Sequence, residues 1–271
     1  MFDMIVGCGN WAMRPTPPAD AATLEDALRA EGVTGACAYP LEAWFWPDPQ
    51  EANELRLPDL AASEFFVPSA VLNPTLPAWR KGYDACRERW QVPLVRLMPG
   101  YHAYELAVPE VDALAHRAAE DGVALGVHLR VEDERMQNPI ALVPGVPFAD
   151  VVALAERHPG LQVVAFGLSR LRELSGYVPD GLVGKLNAPS GPEPLAELPQ
   201  NLWIDLSFFE YKSSLTIALK LFRLERLLFG THYPLFYPRS NVLKVENSEA
   251  PDEAKSAVTG ENARALLGVS S

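Results

Sequence analysis

The chain has 271 residues, 48% of them hydrophobic, and carries a formal net charge of −12 with a pI near 4.9. This size and composition allow a sizeable core, in one large domain or two small ones. Because the chain is acidic and has no run of Lys or Arg, we do not expect nucleic acid as a partner.

The three cysteines, Cys8, Cys37 and Cys86, are far apart and form no CxxC motif. An odd and widely spaced set argues against a disulfide framework and a thiolate metal site, and fits a reducing compartment. No apolar stretch reaches the length of a transmembrane helix, and the first residues lack the basic start of a signal peptide. We therefore expect a soluble cytoplasmic protein without membrane contact.

Eight short apolar segments are spread along the chain, several of them nearly continuous in hydrophobic residues. Such segments are typical of strands buried on both faces of a parallel sheet. The predicted strands are Phe2–Val6, Gly35–Tyr39, Phe65–Leu72, Leu94–Met98, Ala124–Leu129, Gln162–Phe166, Leu202–Leu206 and Arg226–Phe229.

Helical patterns lie between most of these strands; for the first, we predict Thr23 as the N-cap. Eight strands alternating with helices predict a (β/α)8 TIM barrel. A doubly wound open sheet is the alternative, but Gly7-Cys8-Gly9-Asn10 lacks the full glycine fingerprint of a dinucleotide site. We assign residues 1–271 to one domain, in which residues 168–200 form an excursion at one barrel rim.

Polar residues at the predicted strand ends are the candidates for catalysis, because active sites of such barrels lie at the carboxyl ends of the strands. We predict His232 as a general base, His128 as an acid or orienting group, and Asp205 as a third catalytic residue. Asp205 interrupts an apolar strand, so its carboxylate needs a partner. We expect Arg96 or Arg130 to provide it.

Further polar residues near strand ends are candidates for substrate binding. Among them, Arg130 could clamp a substrate carboxylate through two N–H groups. A structural interpretation stays open for several: His128 could be a core histidine bonded to a backbone carbonyl, and His102 an exposed loop residue. The candidates for substrate binding are Arg130, His102, Tyr101, Asn10 and Thr231.

Four stretches resemble motifs of the amidohydrolase superfamily, in its amidohydrolase-related (amidohydrolase 2 type) branch of TIM-barrel, metal-dependent hydrolases. The last two are the most specific, since they are similar to the family's Phe-Gly-Ser/Thr-Asp-x-Pro motif and to its terminal Gly-Asn-Ala-x-x-Leu-Leu helix. The stretches are Phe2–Gly7, Val127–Arg130, Leu228–Pro234 and Gly260–Gly268.

The resemblance implies a metal held by two histidines after the first strand, histidines on the fifth and sixth, and an aspartate on the eighth. Here Ile5 and Gly7 stand at the first pair, residues 163–167 contain no histidine, and His232 replaces the aspartate; His128 matches. We therefore expect a divergent subgroup without the first His-x-His, whose metal site is degraded or absent. Zinc or another divalent metal, held by His128 and His232 in an unusual site, is the alternative.

The leading functional hypothesis is a hydrolase acting on a small polar or carboxylated substrate at the barrel mouth. One alternative is a non-catalytic barrel that binds a ligand or partner, and another is a lyase of the decarboxylase kind, with or without a metal. Two aromatic stretches, residues 44–47 and 233–238, could form an apolar lid or a dimer surface. If the protein forms an oligomer, we expect a homodimer, since this is the commonest closed form.

Overall fold

The protein is described by a computed structural model that covers residues 1–132, 135–187 and 194–269. Its strands pair in parallel and are buried along almost their whole length, as continuous apolar runs require. They are β1 Phe2–Cys8, β2 Gly35–Pro40, β3 Phe66–Pro68, β4 Ala70–Val71, β5 Leu94–Leu97, β6 Ala124–His128, β7 Val163–Phe166, β8 Leu202–Asp205 and β9 Leu227–Leu228.

The predicted third strand is split into β3 and β4 by the single residue Ser69. The backbone N–H and the Oγ hydroxyl of Ser69 both donate to the carbonyl of Ala38, at 2.8 and 2.9 Å. The side chain therefore replaces part of the regular ladder. β3 pairs with β2 and β4 with β5, so together they act as one barrel strand.

The eight barrel strands follow one another in chain order, and the last returns to the first. The N–H of Met4 donates to the carbonyl of Phe229 at 3.0 Å, and that of Gly7 to the carbonyl of Tyr233 at 2.8 Å. These bonds join β1 to the segment after β9 and close the ring. The predicted fold class, a (β/α)8 TIM barrel, is confirmed.

Helices surround the barrel. The first begins at Ala21, and Asp20 caps it by accepting from the N–H of Thr23 at 3.0 Å. Thr23 is thus not the N-cap; Asp20 takes that place because its carboxylate reaches the free N–H groups of the first turn. The α-helices are α1 Ala21–Ala30, α2 Pro49–Ala62, α3 Trp79–Trp90, α4 Pro99–His102, α5 Pro109–Glu120, α6 Phe148–Arg157, α7 Leu182–Asn187, α8 Ser214–Leu221, α9 Pro238–Glu246, α10 Asp252–Ser256 and α11 Asn262–Leu267.

Shorter turns complete the chain: 3-10 turns at Leu41–Trp44, Leu171–Leu174 and Leu224–Arg226, and one π-turn at Ala257–Glu261. The expected excursion, residues 168–200, contains α7 and the turn at 171–174, while residues 188–193 lie outside the described part. No helix in the described ranges combines the length and apolarity needed to cross a bilayer.

Candidate functional site

His128 is the last residue of β6, and its ring is buried in an aromatic wall. Phe166 stacks on it and Trp44 meets it edge-on, each with ring centroids 4.9 Å apart, and Tyr39 lies 5.4 Å away. Its Nε2 is 3.3 Å from Nη1 of Arg96. Burial, and then the neighbouring guanidinium, lower the pKa of His128 well below its usual value, so the imidazole is neutral at pH 7.

Arg96, on β5, places a fully buried guanidinium inside the barrel. Its Nε donates to Oγ of Ser69 and its Nη2 to the carbonyl of Met4, both at 2.7 Å. The guanidinium lies over the rings of Tyr39 and Phe166, at 4.7 and 4.4 Å from their centroids. Within the described residues no carboxylate pairs with it. Its hydrogen-bond partners are all neutral groups, so its positive charge has no counter-charge there.

His232 follows β9 with its backbone in the left-handed region, at φ 60°. Such a conformation is uncommon outside glycine, and here the N–H of His232 donates to the carbonyl of Ile5 at 3.0 Å. Phe208 and Phe236 meet the ring edge-on, at 5.2 and 5.5 Å between centroids. Burial, followed by two nearby arginines, lowers the pKa of His232 to about 3.

The two histidine rings are neighbours, with centroids 6.5 Å apart. Both side chains are about 2% exposed. Nδ1 of His128 and both ring nitrogens of His232 have no hydrogen-bond partner among the described residues. Buried polar atoms normally have partners, so these three nitrogens mark a place where a water or ligand belongs.

Asp205 ends β8 and is fully buried. No arginine among the described residues links its carboxylate to His128 or His232. Its carboxylate accepts from the Oγ and the N–H of Ser207, the latter at 3.0 Å, and from the N–H of Gly167 at 3.2 Å. The expectation of Arg96 or Arg130 as its partner was wrong, because donors from two loops satisfy the carboxylate instead. Burial raises the pKa of Asp205.

Thr231 connects the loop that carries His232 to β1. Its Oγ1 and its N–H donate to Asp3, which also accepts from the N–H of Ile5; both N–H contacts measure 3.0 Å. Burial raises the pKa of Asp3 to about 7. The hydroxyl proton of Thr231 is thus engaged within the protein, and its role in binding substrate stays a prediction.

Tyr101 and His102 lie on α4, directly after the fourth barrel strand. The ring of Tyr101 meets Trp44 and Phe45 edge-on, at 4.9 and 5.5 Å between centroids. Nε2 of His102 is 2.8 Å from the carbonyl of Ala43. His102 is therefore half-buried and bonded to backbone, and not the exposed loop residue of the structural interpretation.

Asn10 and Arg130 lie at other parts of the rim and are engaged with acidic groups. The N–H of Asn10 donates to Glu42 at 3.0 Å while its side chain is exposed. Nη2 of Arg130 donates to Oε1 of Glu173 at 2.7 Å, and both side chains are largely buried. Arg130 thus has a carboxylate partner of its own, and substrate binding by Arg130 and Asn10 stays a prediction.

A second ion pair spans the mouth near His232. Arg14, in the loop after β1, donates from Nε to the buried carboxylate of Glu132 at 3.0 Å and from Nη2 to the carbonyl of Leu235 at 2.7 Å. It joins the loops that follow β1, β6 and β9. This guanidinium is also one of the two that depress the pKa of His232.

Several of these residues were not among the sequence-based candidates. Arg96 carried a visible signal, since an arginine stands inside the otherwise apolar strand Leu94–Leu97. Phe208 and Phe236 gave a weaker one, as aromatic residues just beyond a strand end. From sequence periodicity alone, the two kinds of signal are interpreted as residues that only pack in the core.

The residues present do not fit a metal of the family type. Ile5 is buried in β1, and a Cβ at Gly7 would lie 2.6 Å from Cδ1 of Leu41, so neither position offers a ligand atom. Nε2 of His128 faces a cationic guanidinium. In the described ranges no group of three His, Cys, Asp or Glu side chains could hold a metal ion.

Solved structures share this fold over the whole chain. A 5-carboxyvanillate decarboxylase from Sphingomonas paucimobilis is 15% identical, with a TM-score of 0.70 and 99% of both chains covered. The enzyme of the same name from Novosphingobium aromaticivorans, solved with manganese and 3-methoxy-4-hydroxy-5-nitrobenzoic acid, is 12% identical, with a TM-score of 0.69 and coverage of 99% of this chain and 97% of that chain. A protein from Staphylococcus aureus described as a putative amidohydrolase is 14% identical, with a TM-score of 0.65 and 99% of both chains covered.

No family model matches the sequence, and no curated protein does. The likeness is therefore one of fold: this chain has the TIM-barrel fold of these structures. The resemblance read from the four sequence stretches is confirmed at that level. Where the resemblance implies a metal, this chain has a buried arginine next to two neutral histidines.

Proposed function

We propose that this chain is a divergent member of the amidohydrolase-related family that removes CO2 from a small aromatic carboxylate at the barrel mouth. The observation that carries the proposal is the pair of neutral imidazoles of His128 and His232, on which three buried ring nitrogens have no partner among the described residues. The two rings lie within an aromatic wall beside the unpaired charge of Arg96.

The charge of the site favours an anionic ligand. Arg96 has no carboxylate partner in the described chain, and both histidines are neutral. A ligand carboxylate would bring the missing negative charge, which is worth more in a dry site than in water. The fold neighbour from Novosphingobium aromaticivorans holds a benzoic acid derivative, which is consistent with this ligand class.

The walls of the site favour an aromatic ring. Phe166 and Trp44 lie around His128, and Phe208 and Phe236 around His232. Aromatic pairs prefer the edge-to-face and offset arrangements that these side chains already offer. An aromatic acid would place its ring against them and its carboxylate toward the imidazoles.

The reaction would proceed through proton transfer by His232. His232, protonated once the carboxylate is bound, donates its proton to the ring carbon that carries the carboxyl group. The bond between that carbon and the carboxyl carbon then breaks, CO2 leaves, the electron pair of the broken bond restores the aromatic ring, and His232 takes a new proton from water. A bound carboxylate raises the pKa of His232 from about 3, because an opposite charge nearby favours the protonated form.

Hydrolysis, the leading hypothesis from sequence, is the second candidate, and the protein from Staphylococcus aureus among the fold neighbours favours it. It needs a group that activates water. With a pKa of about 3, His232 is a weak base for that task. Decarboxylation needs no attacking water, and it uses His232 only as a proton donor after the bound carboxylate has raised the pKa of the ring.

The test is incubation in D2O with benzoates that carry hydroxyl groups and a 13C-labelled carboxyl carbon. We expect labelled CO2 together with deuterium at the ring carbon that lost it. His232→Ala should lower the rate by about 100-fold or more. His116→Ala, which changes an exposed histidine on α5, should leave the rate unchanged. Binding of the acids without CO2 release would indicate a non-catalytic binding barrel. A rate for His232→Ala equal to that of the wild type would show that His232 does not transfer the proton.

A further inference from the structure

We infer that Arg96 fixes His128 as a neutral imidazole with its proton on Nδ1, and that this N–H donates to an anionic oxygen of the ligand. This inference rests on the proposed function for its ligand class. It gives His128 the role of a ligand-binding donor, where the resemblance to the family implies a metal ligand.

The tautomer follows from the chemistry of the guanidinium. Arginine offers five N–H donors and no acceptor, so its contact with Nε2 of His128 at 3.3 Å needs the lone pair of that nitrogen. Nε2 therefore carries no proton. In a neutral ring the proton must then be on Nδ1.

Arg96 is held in place independently of His128. Its Nε and Nη2 donate to Ser69 and Met4 at 2.7 Å each, and two rings enclose the guanidinium plane. A side chain held by two short bonds and two rings cannot turn away without losing them. Arg96 is thus a positioning residue for His128.

The Nδ1–H that results has nothing to donate to. It is buried and without a partner in the described residues, and the rings around it accept at most weakly. A buried donor without a partner is destabilising. A ligand oxygen would satisfy it, and the free nitrogens of His232 on the neighbouring ring could contact the same group.

The same geometry disfavours a metal ion at Nε2 of His128. The lone pair of Nε2 is engaged by Arg96, and a cation already lies next to it. A dication at that nitrogen would have to displace the guanidinium and overcome its repulsion. The structure assigns the positive charge of this site to arginine.

The tautomer is measured by NMR of 15N-labelled histidine, with His128→Phe identifying the signals. We expect His128 to give a protonated Nδ1 and an unprotonated Nε2 from pH 5 to 8, with no change on adding zinc. Protonation of Nε2, or a shift of its signal by stoichiometric zinc, would overturn the inference. Neither readout requires turnover.

The donor is tested by a matched pair of variants and calorimetric titration with benzoate and 2-hydroxybenzoate. His128→Asn keeps an N–H donor near the place of Nδ1 and loses the ring, and His128→Phe does the reverse. Weaker binding to His128→Phe therefore shows that the donor matters more to the ligand than the ring. We expect binding to His128→Phe to be weaker by about tenfold or more, which is about 1.4 kcal/mol.

Equal dissociation constants for the two variants, or no binding of either acid to the wild-type protein, would overturn the inference. The circular dichroism of both variants verifies that they are folded. A protein that binds through His128 and releases no CO2 would contradict the proposed function alone. CO2 release with the wrong tautomer would contradict only the inference.

Discussion

Burial sets the protonation states of two histidines and two aspartates in this protein. The two kinds of residue change the stability of the fold in opposite directions as the pH falls. His128 and His232 are held neutral, so acid works against the fold as they are forced to take up protons. Asp3 and Asp205 are buried carboxyls whose pKa values are raised, chiefly by burial. The fold favours their protonated form. Stability near neutral pH therefore depends on both sets.

Asp3 gives a residue-scale prediction. Its pKa in the fold is about 7 against 3.8 in the unfolded chain, so the native state binds the extra proton between these values. Stability supplied by Asp3 is present below pH 4 and is lost as the pH rises toward 7, by at most about 1.4 kcal/mol per pH unit. Asp3→Asn mimics the protonated carboxyl. We expect its free energy of unfolding, relative to wild type, to rise from pH 5 to 7 and then level off.

The measurement is urea denaturation of Asp3→Asn and wild type at pH 5, 6, 7 and 8. Taking the difference cancels the titration of the two histidines, which both proteins share. Asp26→Asn, on the exposed face of α1, serves as the control and should give a constant difference. A constant difference for Asp3→Asn would show that its carboxyl titrates normally in the fold.

The strands that carry the site residues pack tightly against one another next to β9. Gly230 follows this strand and faces β1 and β8. A Cβ there would lie 2.4 Å from Cγ2 of Ile5 and 2.6 Å from Oδ1 of Asp205. Glycine is thus required for the last barrel strand to pack against its two neighbours, and this packing places His232, two residues later, beside the ring of His128.

Gly230→Ala is therefore expected to lower the free energy of unfolding by about 1–3 kcal/mol, since the methyl group overpacks a buried contact with backbone-fixed neighbours. Gly160→Ala is the control, because a Cβ at Gly160 meets nothing within 4 Å. It should change stability by less than about 1 kcal/mol. Urea denaturation measures both. Equal effects would indicate that the last strand can shift to accommodate the methyl group.

At the scale of the whole molecule, the barrel was predictable because parallel strands buried on both faces are read directly as apolar runs. The eight predicted strands correspond to the eight barrel strands. The break at Ser69 was not predictable, since it depends on a hydroxyl that contacts Ala38 from another strand and Arg96 from a third. Such contacts join residues about 30 positions apart, and no local pattern encodes them.

The site was predictable only in part for the same reason. Barrel topology made His128 and His232 candidates, and they are neighbours. Their protonation, however, depends first on burial and then on Arg96, whose position inside the barrel follows from the face of β5 that it occupies. Asp205 was expected to pair with an arginine, but donors from its own loop and from the loop after β7 satisfy it.

For the whole protein we propose that a fixed arginine, the neutral ring of His128 and the proton donor His232 act on an aromatic carboxylate without a metal. The measurement that tests it most directly is CO2 release from hydroxybenzoates after dialysis against EDTA, with the metal content of the same sample determined. We predict an unchanged rate in protein holding far less than one metal per chain. A rate that falls with the metal content and returns with manganese or zinc would contradict the claim.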